Sequence, residues 1–134
     1  MPYLLDTNVV TQLLKRNPSV VEKYRRTLEL GEQLYLSAVV YYEIKRGLLH
    51  LGAAKQLRQL DEDFKDVLYW APVSDATWDR AAYLWAECRR LGKPHDDDGD
   101  LLIGAQAHLL AAVVVTRNTK DFIDLQISVE NWEN

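Results

Sequence analysis

Four short apolar segments, each separated from the next by a longer stretch with helical periodicity, limit what this chain can fold into. The last of them, residues 112–115, is apolar throughout, which is typical of a strand buried on both faces. Strands that alternate with helices form a parallel sheet, because each helix returns the chain to the same end of the sheet. The predicted strands are residues 3–5, 34–36, 67–70, 112–115 and, at an edge, 127–129. The sequence therefore predicts an α/β fold, a three-layer sandwich with a parallel central sheet flanked by helices.

Turn and capping residues delimit the helices between these strands. Pro18 is typical of the first turn of a helix, and Gly31 and Gly52 are typical of helix ends. Ser74 or Asp75 is predicted to cap a long helix. The predicted helices are residues 9–16, 18–30, 39–51, 53–67, 75–91 and 101–110. The four tryptophans are predicted to lie in the core or between helices.

Length and composition indicate one cytosolic domain. The 134 residues, 1–134, suit a single domain that buries about two thirds of its unfolded surface. Cys88 is the only cysteine, which agrees with a reducing compartment, and no apolar run approaches the roughly 20 residues of a membrane-spanning helix. The net charge of −4 argues against a general nucleic-acid binder but leaves room for local basic patches. We expect a cytoplasmic protein.

Polar side chains occur at the ends of the predicted strands. Asp6 follows the first strand, Glu43 lies on the helix after the second, and Asp100 is in the first turn of the last helix. Thr116 and Asn118 follow the fourth strand. Because the carboxyl ends of parallel strands share one edge, these groups are expected to meet in one crevice. Carboxylates in one crevice repel each other unless a cation lies between them, and their hard oxygen atoms favour Mg²⁺, or Mn²⁺, over zinc.

Neighbouring residues are expected to have lesser roles. Thr7 or Asn8 is predicted to cap the first helix, so that Asp6 is a cation ligand in the crevice instead of a cap. Asp98 and Asp121 are additional candidate ligands, although the acidic run that contains Asp98 is also typical of a solvated loop. His95 has no Ser or Cys partner in the sequence, so no catalytic role is assigned to it.

Four short motifs occur in a fixed order along the chain. They are Asp6-Thr7-Asn8, Glu43-x-x-x-Gly47, Asp100-Leu101-Leu102-Ile103-Gly104-Ala105 and Thr116-Arg117-Asn118-Thr119-Lys120-Asp121-Phe122. Together they resemble the PIN domain and, more narrowly, the VapC toxins of bacterial and archaeal VapBC toxin–antitoxin modules. The resemblance covers residues 3–122. It implies the PIN-like sandwich and a metal-dependent endoribonuclease activity that cleaves phosphodiester bonds in RNA, commonly tRNA or rRNA.

The resemblance also assigns roles by position. Asp6, Glu43 and Asp100 match the three acids that hold Mg²⁺ in the family. Asn118 stands where the family often has a fourth acid, and it joins these three in the predicted catalytic set. Asn in place of this fourth acid lowers the local negative charge and favours a single metal ion, with Asp121 as a substitute ligand. Thr116, beside Asn118, is predicted to donate a hydrogen bond to a ligand carboxylate or to phosphate.

Basic residues near the crevice are predicted to bind RNA. Arg117 and Lys120 flank it, and Lys45 and Arg46 lie next to Glu43 on the same helix. Lys and Arg side chains that neutralise phosphates make RNA affinity depend steeply on salt. The resemblance adds a cognate VapB-type antitoxin as a partner and a homodimer or a higher toxin–antitoxin assembly. No membrane partner is expected.

Other functions remain as alternatives at this point. A PIN nuclease of RNA processing would carry the same acids. A receiver domain needs an acidic pair after the first strand and an Asp at the end of a middle strand, whereas this chain has Asp6-Thr7-Asn8 and Ala71-Pro72. A haloacid-dehalogenase-like phosphatase needs a second Asp at the position of Asn8. A non-catalytic binding module of PIN type would have no need to retain the three acids.

Overall fold

The computed structural model describes residues 1–133 of the chain and contains five parallel strands in one sheet. The strands are β1 (Pro2–Leu5), β2 (Gln33–Ser37), β3 (Tyr69–Ala71), β4 (Val113–Val115) and β5 (Val129–Glu130). Their order across the sheet is β3-β2-β1-β4-β5. The prediction of an α/β sandwich with a parallel central sheet is thus confirmed.

Six α-helices connect the strands. They are α1 (Thr7–Leu14), α2 (Pro18–Glu29), α3 (Ala38–Leu51), α4 (Ala54–Gln59), α5 (Asp75–Arg90) and α6 (Asp98–Leu110). Pro18 occupies the first turn of α2, and Gly52 ends α3 in the left-handed conformation, as their chemistry predicts. Ser74, not Asp75, caps α5, and it does so through a capping box with Thr77.

Several boundaries differ from those predicted, among them the start of α6, which is Asp98 rather than residue 101. The helix predicted over 53–67 is α4 followed by a π-helical turn, Leu60–Lys65, which ends with an Asp66 N–H to Asp61 carbonyl hydrogen bond of 2.8 Å. This wider turn keeps both Leu60 and Phe64 buried. The following strand therefore begins at 69 rather than 67, and the last strand is 129–130 rather than 127–129.

The core lies on both faces of the two central strands. The side chains of Leu4, Leu5, Val114 and Val115 have no exposure to solvent. Burial on both faces explains why these segments are continuously apolar instead of alternating with polar residues.

The prediction for the tryptophans is wrong for three of the four. Trp132 is 1% exposed and packs near the Tyr3 ring, but Trp70, Trp78 and Trp85 are 41%, 56% and 41% exposed. Trp70 lies on the edge strand β3, where the adjacent Tyr69 on the opposite face is exposed too, so neither face is fully covered there. Trp78 and Trp85 lie on the outward side of α5, which buries one face only.

The strand order reverses between β1 and β4, at the centre of the sheet. The chain first adds strands on one side of β1 and then, through α6, on the other side. Open α/β sheets bind ligands in the crevice that forms at such a switch point, beyond the carboxyl ends of the strands. The Asp6 N–H donates to the Val115 carbonyl at 2.9 Å, so the first residue after β1 lies at this crevice. Within residues 1–133, no helix is both long and apolar enough to cross a bilayer.

Candidate active site

Asp6 is a buried carboxylate that accepts hydrogen bonds from three donors. Its Oδ1 accepts from the Thr7 backbone N–H at 2.8 Å, and its Oδ2 accepts from the Thr116 hydroxyl at 2.8 Å and the Asn8 amide at 3.2 Å. Asp6 has extended backbone angles and is itself the N-cap of α1. The prediction that Thr7 or Asn8 replaces it as the cap is therefore wrong: one carboxylate caps the helix and faces the crevice.

The environment of Asp6 disfavours its charged form. Burial raises the pKa of Asp6, and the hydrogen bonds from Thr116 and Thr7 lower it. The nearby charges of Asp121 and Asp97 add to the raising effect. The net result is a raised pKa, because the desolvation of the carboxylate outweighs its hydrogen bonds.

Glu43 reaches the same crevice from the second turn of α3. Its Oε1 accepts a hydrogen bond of 3.1 Å from the Thr7 hydroxyl, which links the start of α1 to α3. Partial burial raises the pKa of Glu43, and the charges of Asp6 and Asp97 raise it further. The hydrogen bond from Thr7 and the charge of Arg46 lower the pKa of Glu43, but the net direction is upward.

Asp100 has the largest pKa shift of the three acids. It lies in the first turn of α6, where its N–H donates to the Asp97 carboxylate, the N-cap of that helix, at 3.1 Å. Burial raises the pKa of Asp100 to about 7, with additional contributions from the charges of Asp97, Asp6, Asp121 and Glu43. Half of the Asp100 side chains would thus be protonated near neutral pH unless a cation replaced the proton.

The three acids line one open cleft of about 400 Å³. Among residues 1–133, none of the three forms an ion pair with a Lys or Arg side chain within 4.0 Å. In the same part of the chain, no group of three or more His, Cys, Asp or Glu side chains lies close enough together to hold a metal ion as placed. The cleft therefore gathers acidic groups, and the basic side chains that line it, Lys15 and Arg117, form no ion pair with the three acids. Their carboxylate oxygens suit Mg²⁺ or Mn²⁺.

The turn after β4 completes this cleft. The Thr116 hydroxyl, which donates to Asp6, accepts a hydrogen bond of 3.0 Å from the Asn118 backbone N–H. The Arg117 N–H donates to the Asn8 side chain at 2.9 Å, and the side chains of Arg117 and Asn118 line the cleft. The geometry thus brings Asn118 to the three acids. Asp121 lies close enough to raise the pKa values of Asp6 and Asp100, but it is not among the residues that line the cleft.

Several other predicted residues lie outside the cleft. Asp98 is exposed at the start of α6 and does not line it. Lys45 lies over the Tyr41 ring, with its Nζ 5.3 Å from the ring centroid, and Lys120 is exposed on the turn after β4. Arg46 lines an adjoining groove that shares Glu43 with the cleft. Lys15, which sequence reasoning did not select, lines the cleft from the end of α1.

His95 is a second residue that sequence reasoning missed. Its Nε2 lies 2.8 Å from the Asp121 carbonyl, and its Nδ1 accepts from the Asp97 N–H at 3.3 Å. One neutral tautomer, with the proton on Nε2, satisfies both contacts. The same Nε2 is 3.8 Å from the Asp100 carboxylate. No sequence signal could indicate these contacts of His95, because they depend on packing between two loops that are distant along the chain.

Comparisons with known proteins identify the family of this chain. The family model of the PIN domain matches residues 3–127. The chain is similar to Toxin FitB of Neisseria gonorrhoeae, with 30% identity over 138 aligned residues that cover 98% of this chain and 99% of the relative. It is also similar to Ribonuclease VapC1 of Haemophilus influenzae, with 28% identity over 126 residues, 91% of this chain and 90% of the relative.

A solved structure shares the fold over the full length. The crystal structure of VapBC2 from Rickettsia felis, bound to a DNA fragment from their promoter, contains a chain that superposes with a TM-score of 0.87. The sequences are 24% identical, and the match covers 99% of this chain and 100% of the other. With the family model matched over nearly its whole length, this chain belongs to the PIN domain family.

Proposed function

We propose that this protein is a Mg²⁺-dependent endoribonuclease toxin of a type II toxin–antitoxin module, formed by one PIN domain over residues 1–134 and acting in the cytoplasm. One observation carries the proposal: Asp6, Glu43 and Asp100 lie in a single cleft at the switch point of the sheet without a Lys or Arg partner among residues 1–133. The ribonuclease and toxin relatives support the same activity. RNA, with tRNA or rRNA as the expected targets, is the proposed substrate.

The chain's own side chains have distinct roles in this mechanism. Asp6, Glu43 and Asp100 would hold the ion, and Asn118 would lie beside them. An ion such as Mg²⁺ or Mn²⁺ held there would supply Lewis-acid chemistry: activation of a water molecule and stabilisation of negative charge on the phosphoryl oxygens. Asp6 is fixed by its three hydrogen bonds, and the Thr7 hydroxyl orients Glu43. Asp100 must release its proton to become a ligand, so cation binding and proton release are coupled at this residue.

The basic residues are proposed to bring the RNA backbone to the acids. Arg117 and Lys15 line the cleft and Arg46 lines the adjoining groove, so they are the proposed inner phosphate contacts. Lys45 and Lys120 lie outside the cleft and are proposed as outer contacts. RNA binding should weaken steeply as salt increases, and the slope should become shallower by about one for each inner cation replaced by Gln. A salt profile that these replacements leave unchanged would contradict the assignment.

The activity is tested with Asp100→Asn and its matched control, Asp98→Asn. Both residues lie in the first turn of α6, but only Asp100 lines the cleft. We expect Asp100→Asn to abolish Mg²⁺-dependent cleavage of total RNA while its circular dichroism stays that of the wild type. Asp98→Asn should cleave normally. If folded Asp100→Asn protein cuts RNA at the wild-type rate, the site is assigned wrongly.

A cognate antitoxin and an oligomeric assembly belong to the same proposal. They are supported by similarity to chains from the VapBC2 complex and from the FitAB complex, the second with a TM-score of 0.85 and 25% identity. We expect a small reading frame for an antitoxin beside the gene, and growth arrest when the protein is expressed without it. Harmless overexpression together with the lack of such a neighbour would contradict the toxin role and favour a nuclease of RNA processing.

A further inference from the structure

A second groove of about 530 Å³ adjoins the acidic cleft. The two share Glu43, and the groove continues from it between α3, α5 and the start of α6. Apolar side chains of Val39, Val73 and Leu102 line the groove, together with the Asp97 carboxylate near the start of α6. A volume of this size lies within the usual range of small-molecule sites. A ligand group that enters the groove therefore lies next to a proposed metal ligand but in contact with apolar surface.

Two exposed aromatic rings lie on the walls of this groove. Tyr42 of α3 is 60% exposed, and Trp78 of α5 is 56% exposed. The Arg46 guanidinium lies 5.0 Å from the centroid of the Tyr42 ring, which places a positive charge at the same wall. Aromatic rings and Arg planes are the groups on which proteins stack unpaired RNA bases, because every base has a π face.

Trp78 differs from the other exposed tryptophans of the chain. The Trp85 ring, two turns along α5, is covered by the Arg89 guanidinium at 4.1 Å. The Trp70 ring packs edge-on against Tyr41 with centroids 5.6 Å apart. Among residues 1–133, the Trp78 ring has no aromatic or cationic partner of this kind. Its face is open to a ligand.

We propose that the groove between Tyr42 and Trp78 is a nucleobase subsite that holds an unpaired base of the RNA next to the phosphate in the acidic cleft. This inference rests on the proposed ribonuclease function and adds a position for the base beside the cleaved phosphate. A base is planar and largely apolar on its faces, so it suits the groove and not the acids. The phosphate that follows it along the strand suits the basic residues Lys15 and Arg117 of the cleft and Arg46 of the groove, whose charge acts on Glu43.

Binding of mononucleotides tests the subsite without cleavage. In Mg²⁺, isothermal titration should show that AMP and UMP bind the wild-type protein more tightly than ribose 5-phosphate, which has no base. Trp78→Ala should weaken AMP binding on the order of tenfold and leave ribose 5-phosphate binding unchanged. Trp78→Phe should retain most of the AMP affinity because a ring remains. Trp85→Ala is the matched control and should bind like the wild type.

Cleavage kinetics separate this inference from the proposed function. With single-stranded RNA, Trp78→Ala should raise KM on the order of tenfold and change kcat by less than about twofold, since stacking contributes to binding. Unchanged KM and AMP affinity in Trp78→Ala, with normal wild-type cleavage, overturns the subsite alone. A wild-type protein that cleaves no RNA but prefers AMP overturns the function and supports the subsite.

The same variants decide between a base and a second protein copy on this face. Trp78 and Trp85 lie seven residues apart and therefore on one side of α5. If a second copy covered this side, both alanine variants would shift the molecular mass in solution towards the monomer, as measured by light scattering. That result would overturn the subsite. Unchanged mass in both variants, with an affinity loss only in Trp78→Ala, supports it.

Discussion

At the scale of single residues, Asp6 combines a structural and a chemical role. It caps α1 through the Thr7 N–H, receives the Thr116 hydroxyl from the far end of the chain, and lines the acidic cleft. The cap fixes the carboxylate in place before any ligand arrives, so little ordering remains for ligand binding. Its pKa is raised because the buried position disfavours the charged carboxylate.

Two substitutions at Asp6 separate these roles. Asp6→Asn keeps an oxygen acceptor for the Thr7 N–H, so we expect a free energy of unfolding within about 1 kcal/mol of the wild type. Asp6→Ala removes the cap and leaves the Thr116 hydroxyl without its acceptor, so we expect a loss of about 2–3 kcal/mol. Both should lose RNA cleavage. Urea unfolding at pH 7.5 without metal measures this, and equal stability of the two variants would rule out the capping role.

His95 should act through its neighbours and not on the substrate. His95→Ala removes the hydrogen bonds to the Asp121 carbonyl and from the Asp97 N–H. These bonds fix the loop that leads into α6 and thereby the position of Asp100. We expect weaker Mg²⁺ binding by about 10-fold, as for other residues that orient metal ligands. The Mg²⁺ dependence of cleavage measures this: saturating Mg²⁺ should restore most of the rate. A loss that no Mg²⁺ concentration restores would show that His95 touches the substrate.

At the scale of elements, a buried glutamine fixes α6 against the sheet. Gln106 accepts a hydrogen bond of 2.6 Å from the Ser37 hydroxyl at the end of β2. Its amide donates to the Ala71 carbonyl at 2.9 Å, at the end of β3, and to the Pro72 carbonyl at 3.1 Å. One side chain thus joins three elements at the carboxyl edge of the sheet. Asp100 lies on the same helix, so its position depends on this link.

Gln106→Leu should show how much this link contributes. The change keeps the approximate volume but removes the acceptor of the Ser37 hydroxyl and the donor to the Ala71 and Pro72 carbonyls. We therefore expect a loss of about 2–4 kcal/mol in the free energy of unfolding. Gln56→Leu, at an exposed position of α4, is the control and should stay within about 0.5 kcal/mol. Denaturant unfolding measures both. Equal stability of the two variants would contradict the role of Gln106.

At the scale of the whole molecule, the sheet brings acids from three helices to its centre. The pKa values of Asp6, Glu43 and Asp100 are all raised, with that of Asp100 at about 7. An unfolded Asp has a pKa near 3.9, so between about pH 4 and pH 7 the folded protein binds more protons than the unfolded chain. The stabilisation is therefore complete below pH 4 and is lost as the pH rises through 7.

This linkage predicts opposite effects of pH and metal. Without metal, Tm should be higher at pH 5.5 than at pH 8 by roughly 4 °C, the shift that about 1 kcal/mol produces in a domain of this size. Mg²⁺ should raise Tm more at pH 8 than at pH 5.5, because the ion and the proton compete for the same oxygens. Asp100→Asn should reduce both effects, and Asp98→Asn should preserve them. Thermal unfolding followed by circular dichroism would falsify the linkage if Asp100→Asn kept the wild-type slope.

The sequence predicts the parts of this molecule that depend on local chemistry. The strand after Pro2 and the buried run of valines follow from apolar content, and Asp6 follows from its place behind a strand. The helical periodicity of α3 also predicts that Lys45 and Arg46 point in different directions. Each lies over the tyrosine four residues before it, Lys45 over Tyr41 and Arg46 over Tyr42.

Other features depend on contacts between distant segments. Gln106 looks like an ordinary helix residue until β2 and β3 place Ser37 and Ala71 beside it. His95 acquires its contacts only when the turn after β4 packs against the loop before α6. The π-helical turn after α4 and the exposure of Trp78 likewise depend on tertiary packing, which no pattern within a short window encodes.

The hydrogen bond between Asp6 and Thr116 also determines when activity can first arise during synthesis. The two residues are 110 positions apart, and β1 gains its second neighbour only when β4 exists. A nascent chain still on the ribosome presents Asp6 early but has neither β4 nor the turn that carries Asn118. Chains that stop before that turn, through a nonsense codon or stalled translation, cannot assemble the cleft. The complete site can therefore form only after the turn that carries Thr116 and Asn118 has been synthesised.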